Sequence, residues 1–171
     1  LDGIPLSVEL AATRAPVVDP PKLVERLDEQ LELLAEAEDD WSAWKQTLRN
    51  AVERSWNQLS PAERAGLAQA SVFEGDFDLN AAEAVLEIDG YGPVLAADQF
   101  LQNALRKSLA TLQSHGDTGD RFALYGAVRA FASEQLEALD ERMATARRHA
   151  RHFADRADRF VEELASERWK E

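Results

Sequence analysis

The sequence predicts a mostly α-helical chain with one short β-hairpin and a long final helix. Three observations predict it. Ala, Leu, Glu and Arg dominate 171 residues punctuated by only 8 Gly and 6 Pro, which is helix-forming chemistry. Apolar residues recur at spacings of three and four along most of the chain, as one-sided helices require. Between Ser108 and Tyr125 the period shortens and partly alternates around His115-Gly116-Asp117-Thr118-Gly119-Asp120, the pattern of two short strands and a turn.

In order, a first helix reads from about Pro5 to Arg14, with Leu6 and Leu10 on one face and Pro5 in the first turn, where its missing N–H costs nothing. Pro16, Pro20 and Pro21 interrupt it. A second helix, about Pro21 to Ala37, carries Leu23, Leu27, Leu31 and Leu34 as a stripe. Glu36 to Asp40 reads as an acidic link. A third helix, about Ser42 to Leu59, sets Trp44, Leu48, Val52 and Trp56 in register. Ser60-Pro61-Ala62-Glu63 is a helix start, with a Ser cap, Pro in the first turn and a Glu able to reach back to the cap N–H. That helix runs to about Phe73, and a short one follows over Asp78 to Glu87. After the turn Asp89-Gly90-Tyr91-Gly92-Pro93, a helix reads from Pro93 to Lys107.

Past the hairpin, a helix from Tyr125 to Leu139 is expected to bury Val128, Phe131, Ala132, Leu136 and Leu139. The last, Glu141 to Arg168, carries Met143, Ala146, Ala150, Phe153, Ala157, Phe160 and Leu164 as a seam for packing on a neighbouring helix. Helix, helix, helix, hairpin is the order of a winged helix. The expected division is therefore a helical domain at 1–59, a winged-helix domain at 60–139 and a linker or repeat helix at 140–171.

Composition narrows the chemistry. There is no cysteine, so no disulfide scaffold, thiol nucleophile or cysteine-held metal exists, and a reducing cytoplasm is the expected setting. No apolar run approaches bilayer length. The chain opens on Leu1 and its one methionine is Met143, so it reads as an internal stretch of something longer. A formal net charge of -13 repels phosphate backbones at long range, which makes nucleic acid an unlikely partner. No Ser/His/Asp order, paired carboxylates or Gly-x-x-x-x-Gly-Lys loop is present, so no catalytic residue is assigned.

Local candidates remain. His149 and His152 stand three apart on a helix and could share a metal, but with no convincing third ligand beyond Asp155 the expected metal site is none. Arg147, Arg148, Arg151, Arg156 and Arg159 form one basic stretch, read either as a partner-binding strip or as a solvated face balanced by Asp155, Asp158, Glu162 and Glu163. Arg106 and Lys107 sit at the far end of the winged unit's third helix, with Asp98 near its start. That is poor chemistry for a groove-reading helix.

Several stretches, in order, resemble one family. LDGIPLSVELAA (1–12) resembles its GLPLALELAA form. QTLRNAVERSWNQLSPAERAGLAQASVFEGDFDLNAAEAV (46–85), Lys107-Ser108-Leu109, RFALYGAVRAFASEQL (121–136) and RRHARHFADRAD (147–158) follow. By these the chain resembles the STAND-class, NB-ARC-like signal-transduction ATPases of bacteria. The resemblance implies the helical and winged-helix segment of a nucleotide-operated switch, followed by the start of a TPR-like repeat array. It implies ATP or ADP with magnesium held by a P-loop domain of the same protein, and a homo-oligomer on activation. It assigns adenine contact to Pro5, with Gly3 shaping the turn. Tyr125, in Leu124-Tyr125-Gly126, stands where eukaryotic relatives carry Met-His-Asp and a phosphate-sensing histidine; both histidine and aspartate are absent here. The fragment itself is then no enzyme. Two rival readings are a winged-helix transcription regulator, using Arg106 and Lys107 or Arg147 to Arg159 on DNA, and a helical interaction module acting through Phe153 and Phe160.

Overall fold

The computed structural model describes residues 38–114 and 119–167. Among them it forms α1 (Glu38–Asn57), α2 (Pro61–Ala70), α3 (Leu79–Val85), α4 (Ala97–Arg106), β1 (Ala110–Ser114), β2 (Asp120–Leu124), α5 (Gly126–Ala138) and α6 (Arg142–Glu167). The chain is thus mostly helical, with one antiparallel hairpin. The helices expected over 5–14 and 21–37, and His115 in the hairpin turn, lie outside the described residues, as does the Trp44 side chain. Contacts divide the chain into two units, residues 1–58 with 125–127 and residues 59–124 with 128–171.

In the first unit, α1 buries Leu48, Val52 and Trp56, one per turn, as their spacing predicts. It begins at Glu38, inside the stretch expected to be an acidic link. The reason is electrostatic: Glu38, Asp39 and Asp40 fill a first helical turn, where the exposed N–H groups favour negative charge.

In the second unit α2 and α3 start from side-chain caps. The Ser60 hydroxyl accepts from the Glu63 N–H at 3.3 Å, and the Glu63 carboxylate accepts from the Ser60 N–H at 2.8 Å, the reciprocal box that the sequence predicts. Asp78 caps α3 by accepting from the Ala81 N–H at 2.8 Å. The core lies between α2, α3, α4 and α5, with Leu67, Phe77, Val85, Phe100, Leu101 and Leu136 at its centre. In the hairpin Ala110 pairs with Leu124 and Leu112 with Phe122. Phe77 exchanges both backbone hydrogen bonds with Phe122 at 2.8 Å, which fastens the hairpin to the segment before α3.

Three expectations need correction. The third helix of this unit starts at Ala97 rather than Pro93. Extension back to Pro93 would add the exposed Pro93, Val94 and Ala96 and the half-buried Leu95, with no fully buried side chain to offset ordering that turn. Leu139, expected in the core, is 45% exposed, because the chain leaves α5 through the left-handed Asp140 (φ 57°) and turns it outward.

The largest departure is α6. Its predicted apolar seam faces solvent, with Met143 73% and Phe160 60% exposed. The helix seats instead through a polar side. Thr145 is fully buried, and Arg148 donates to the Val85 carbonyl at 2.7 Å, to Glu87 at 2.8 Å and to Gln69 at 3.2 Å. Arg156 reaches Asp78 at 2.7 Å. Among the described residues no helix is long and apolar enough to cross a membrane.

Candidate nucleic-acid interface

Helix α4 is set by a sharp division of its residues. Phe100, Leu101 and Ala104 are buried, while Gln99, Gln102 and Arg106 are exposed and Asn103 is half-buried. The polar four recur at spacings of three, one and three, so they share the outward face. Asp98 in the first turn and Arg106 in the last both oppose the helix dipole favourably, in the absence of a side-chain cap. Arg106 donates to the Asn103 amide oxygen, which orders the two together on that face.

The C-terminal end of α4 is pinned. Lys107 Nζ lies 2.7 Å from a Glu63 carboxylate oxygen, so the cap of α2 also holds the end of α4. Burial pushes the Glu63 carboxyl up, but the bonds from Lys107 and Ser60 outweigh it and hold it below the usual carboxylate range. Ser108, in the left-handed region (φ 54°), then turns the chain into β1.

Besides the Phe77–Phe122 backbone bonds, carboxylates tie the hairpin to the rest of this unit. Asp78 Oδ2 accepts from Arg121 of β2 at 3.2 Å and from Arg156 of α6 at 2.7 Å, while Arg121 also pairs with Asp76 at 2.9 Å. Burial raises the Asp78 carboxyl, yet the Ala81 N–H, Arg156 and Arg121 together lower it below its ordinary value. A carboxyl depressed in the folded state contributes stability above its unfolded pKa and loses it as pH falls through the folded one. Acid unfolding followed by far-UV circular dichroism is therefore expected to show a steeper decline below about pH 4 in the wild type than in Asp78→Asn, which is less stable at neutral pH.

Arg148 and Arg156 of the basic stretch are engaged with α3 and its flanks rather than forming a solvated face. Arg147 and Arg151 stay exposed. His149 packs its ring on Phe73 at 5.2 Å and on Phe153 at 4.7 Å. Burial, with His152 beside it, pushes His149 below its ordinary value, against the pull of Glu74. No group of three metal-ligating side chains occurs among the described residues. Tyr125 stands half-buried just before α5, and Gly3 and Pro5 lie outside the described residues.

Residues 59–137 match the winged helix-turn-helix domain family. A protein of Mycobacterium tuberculosis named as a candidate HTH-type transcriptional regulator is 35% identical over 152 residues, covering 89% of this chain and 17% of the relative. An uncharacterized protein of the same organism is 33% identical over 157 residues, covering 90% of this chain and 39% of the relative. The chain thus spans well under half of either. The crystal structure of a MarR-family transcription regulator is 21% identical and covers 83% of this chain and 99% of that one, at a TM-score of 0.33, too loose a likeness to argue from.

These matches overturn the NB-ARC-like reading, the arm of an ATP- or ADP-operated switch, and the P-loop domain it implied as partner. The quoted motifs have a simpler physical basis. LSPAER is the capping box of α2, and Phe73, Ala81, Ala82, Val85 and Leu109 are buried positions of the winged domain itself. At these positions the fold alone accounts for the residues. The expectation that nucleic acid is an unlikely partner falls as well. It rested on the net charge of -13 and on the placing of two cations at the far end of this helix, whereas the outward face of α4 is mostly amide. The signal was legible as Gln99-x-x-Gln102-Asn103-x-x-Arg106, a polar stripe opposite Phe100, Leu101 and Ala104.

Proposed function

We propose that this chain is the DNA-reading part of a winged-helix transcription regulator, acting in the cytoplasm and without enzymatic activity, with α4 laid in a major groove. The observation that carries the reading is the outward face of Gln99, Gln102, Asn103 and Arg106 on the third helix of the matched domain. A carboxamide both donates and accepts, which suits adenine N6 and N7. A guanidinium donates twice, which suits guanine O6 and N7. The relative named as a candidate HTH-type regulator supports the same reading.

The charge of -13 limits how much phosphate attraction can contribute. Affinity must come mainly from fitted base contacts, so salt dependence should be shallow for a DNA binder. Duplexes selected from a random pool by the chain, measured by fluorescence anisotropy, provide the test. Asn103→Ala and Arg106→Ala are each expected to weaken the selected duplex by about 1–3 kcal/mol while leaving a scrambled duplex unchanged. Failure to enrich any sequence, or equal binding of both duplexes by wild type and variants, would exclude base reading by α4.

A further inference from the structure

The distal part of α6 carries an apolar stripe that nothing covers among the described residues. Phe153, Phe160 and Leu164 are 38%, 60% and 49% exposed, and with Ala157 they recur at spacings of four, three and four. Val161, 63% exposed, widens the stripe on one side. On the other side an open groove of about 1050 Å³ separates it from Asn80, Glu83 and Ala84 on and beside α3. Contiguous apolar surface of this kind, rimmed by charge, marks an interaction face.

We infer that a second copy of this chain covers the stripe, with the two α6 helices paired antiparallel. Two features choose this occupant. The first is shape. About a twofold axis between Asp158 and Arg159, Phe153 lies against Leu164 of the partner subunit and Ala157 against Phe160 of the partner subunit, each contact occurring twice. Large residues then meet small ones in the two central layers, as interdigitating helices require.

The second is charge. Residues 142–156 hold Arg142, Arg147, Arg148, Arg151 and Arg156 against Asp155 alone, while residues 157–167 hold Asp158, Glu162, Glu163 and Glu167 against Arg159 alone. Antiparallel pairing sets the basic half of one helix against the acidic half of the other. Parallel pairing sets like against like. Arg147 and Arg151 are exposed and have no ion-pair partner among the described residues, so they are available to the other copy.

Four layers on one helix make a small interface, so the association is weak and depends on concentration. It stands apart from the reading of α4, since it is measured without DNA. Sedimentation equilibrium of the full chain across a concentration series is expected to show the average mass rising from the monomer toward twice that value. Phe160→Asp and Leu164→Asp, both at exposed positions, should keep the helical circular dichroism spectrum and stay monomeric. The absence of cysteine makes the orientation testable. Ala157→Cys combined with Phe160→Cys should oxidise to a covalent dimer, and Ala157→Cys alone should not. A chain monomeric at every concentration, a dimer indifferent to both aspartate variants, or efficient cross-linking by Ala157→Cys alone would each overturn the inference.

Discussion

Replacing Gln69 by alanine is expected to lower the stability of the second unit by about 3 kcal/mol, the sum of a small cavity and several orphaned polar groups. Gln69 is fully buried at the end of α2. Its amide nitrogen donates to the Glu87 carbonyl at 2.9 Å and to the Glu141 carboxylate at 3.0 Å. Its amide oxygen accepts from the Glu87 N–H at 2.6 Å and from Arg148 at 3.2 Å. One side chain therefore satisfies the backbone after α3 and joins it to the first turns of α6. Alanine leaves the Glu87 backbone groups without these partners, and the cost of an unmade buried bond exceeds the gain of a made one. Urea unfolding followed by far-UV circular dichroism measures the loss. Gln69→Glu keeps the volume but turns an oxygen toward the Glu87 carbonyl and the Glu141 carboxylate. It should be at least as damaging at neutral pH and partly relieved by mild acid. A change below about 1 kcal/mol for both variants would show that the network contributes only what water could supply.

That network also explains what the sequence could and could not convey about α6. A helix start was legible where its cap is local, as with Ser60 and Glu63, which are read within one turn. Core faces were legible wherever burial is apolar and periodic, as at Leu48, Val52 and Trp56 or at Val128, Phe131, Ala132 and Leu136. The seating of α6 follows neither rule. Its contacts join Arg148 to Gln69 and Arg156 to Asp78, partners far apart in sequence and polar, so periodicity assigned the wrong face. The side of α4 proposed to face DNA was hidden by a different habit. Groove chemistry was sought in cations, and Gln99, Gln102 and Asn103 carry none.

Gly66→Ala is expected to disturb the seat of α4 and, with it, base reading. Within α2, alanine would ordinarily add about 1 kcal/mol of helix stability. Here a Cβ would stand 2.8 Å from Phe100 Cδ2 and 2.9 Å from Cε2, on a ring that is only 2% exposed. Overpacking of that kind costs about 1–3 kcal/mol, so the net effect is destabilising, and the cheapest relief is to push α4 away from α2. Phe100 lies on the face opposite Gln99, Gln102, Asn103 and Arg106, so any such shift moves all four together. Under the proposed function, affinity for the selected duplex then falls by about 1–3 kcal/mol, the size of one misaligned bidentate contact, while helix content is retained. Phe100→Leu alone leaves a cavity, and in the Gly66→Ala background it should fill the strained space. The double variant is thus expected to be more stable than the sum of the single losses predicts, by about 0.5–3 kcal/mol. Strict additivity would mean that α2 and α4 do not meet through this glycine, and the position of the reading helix would need another explanation.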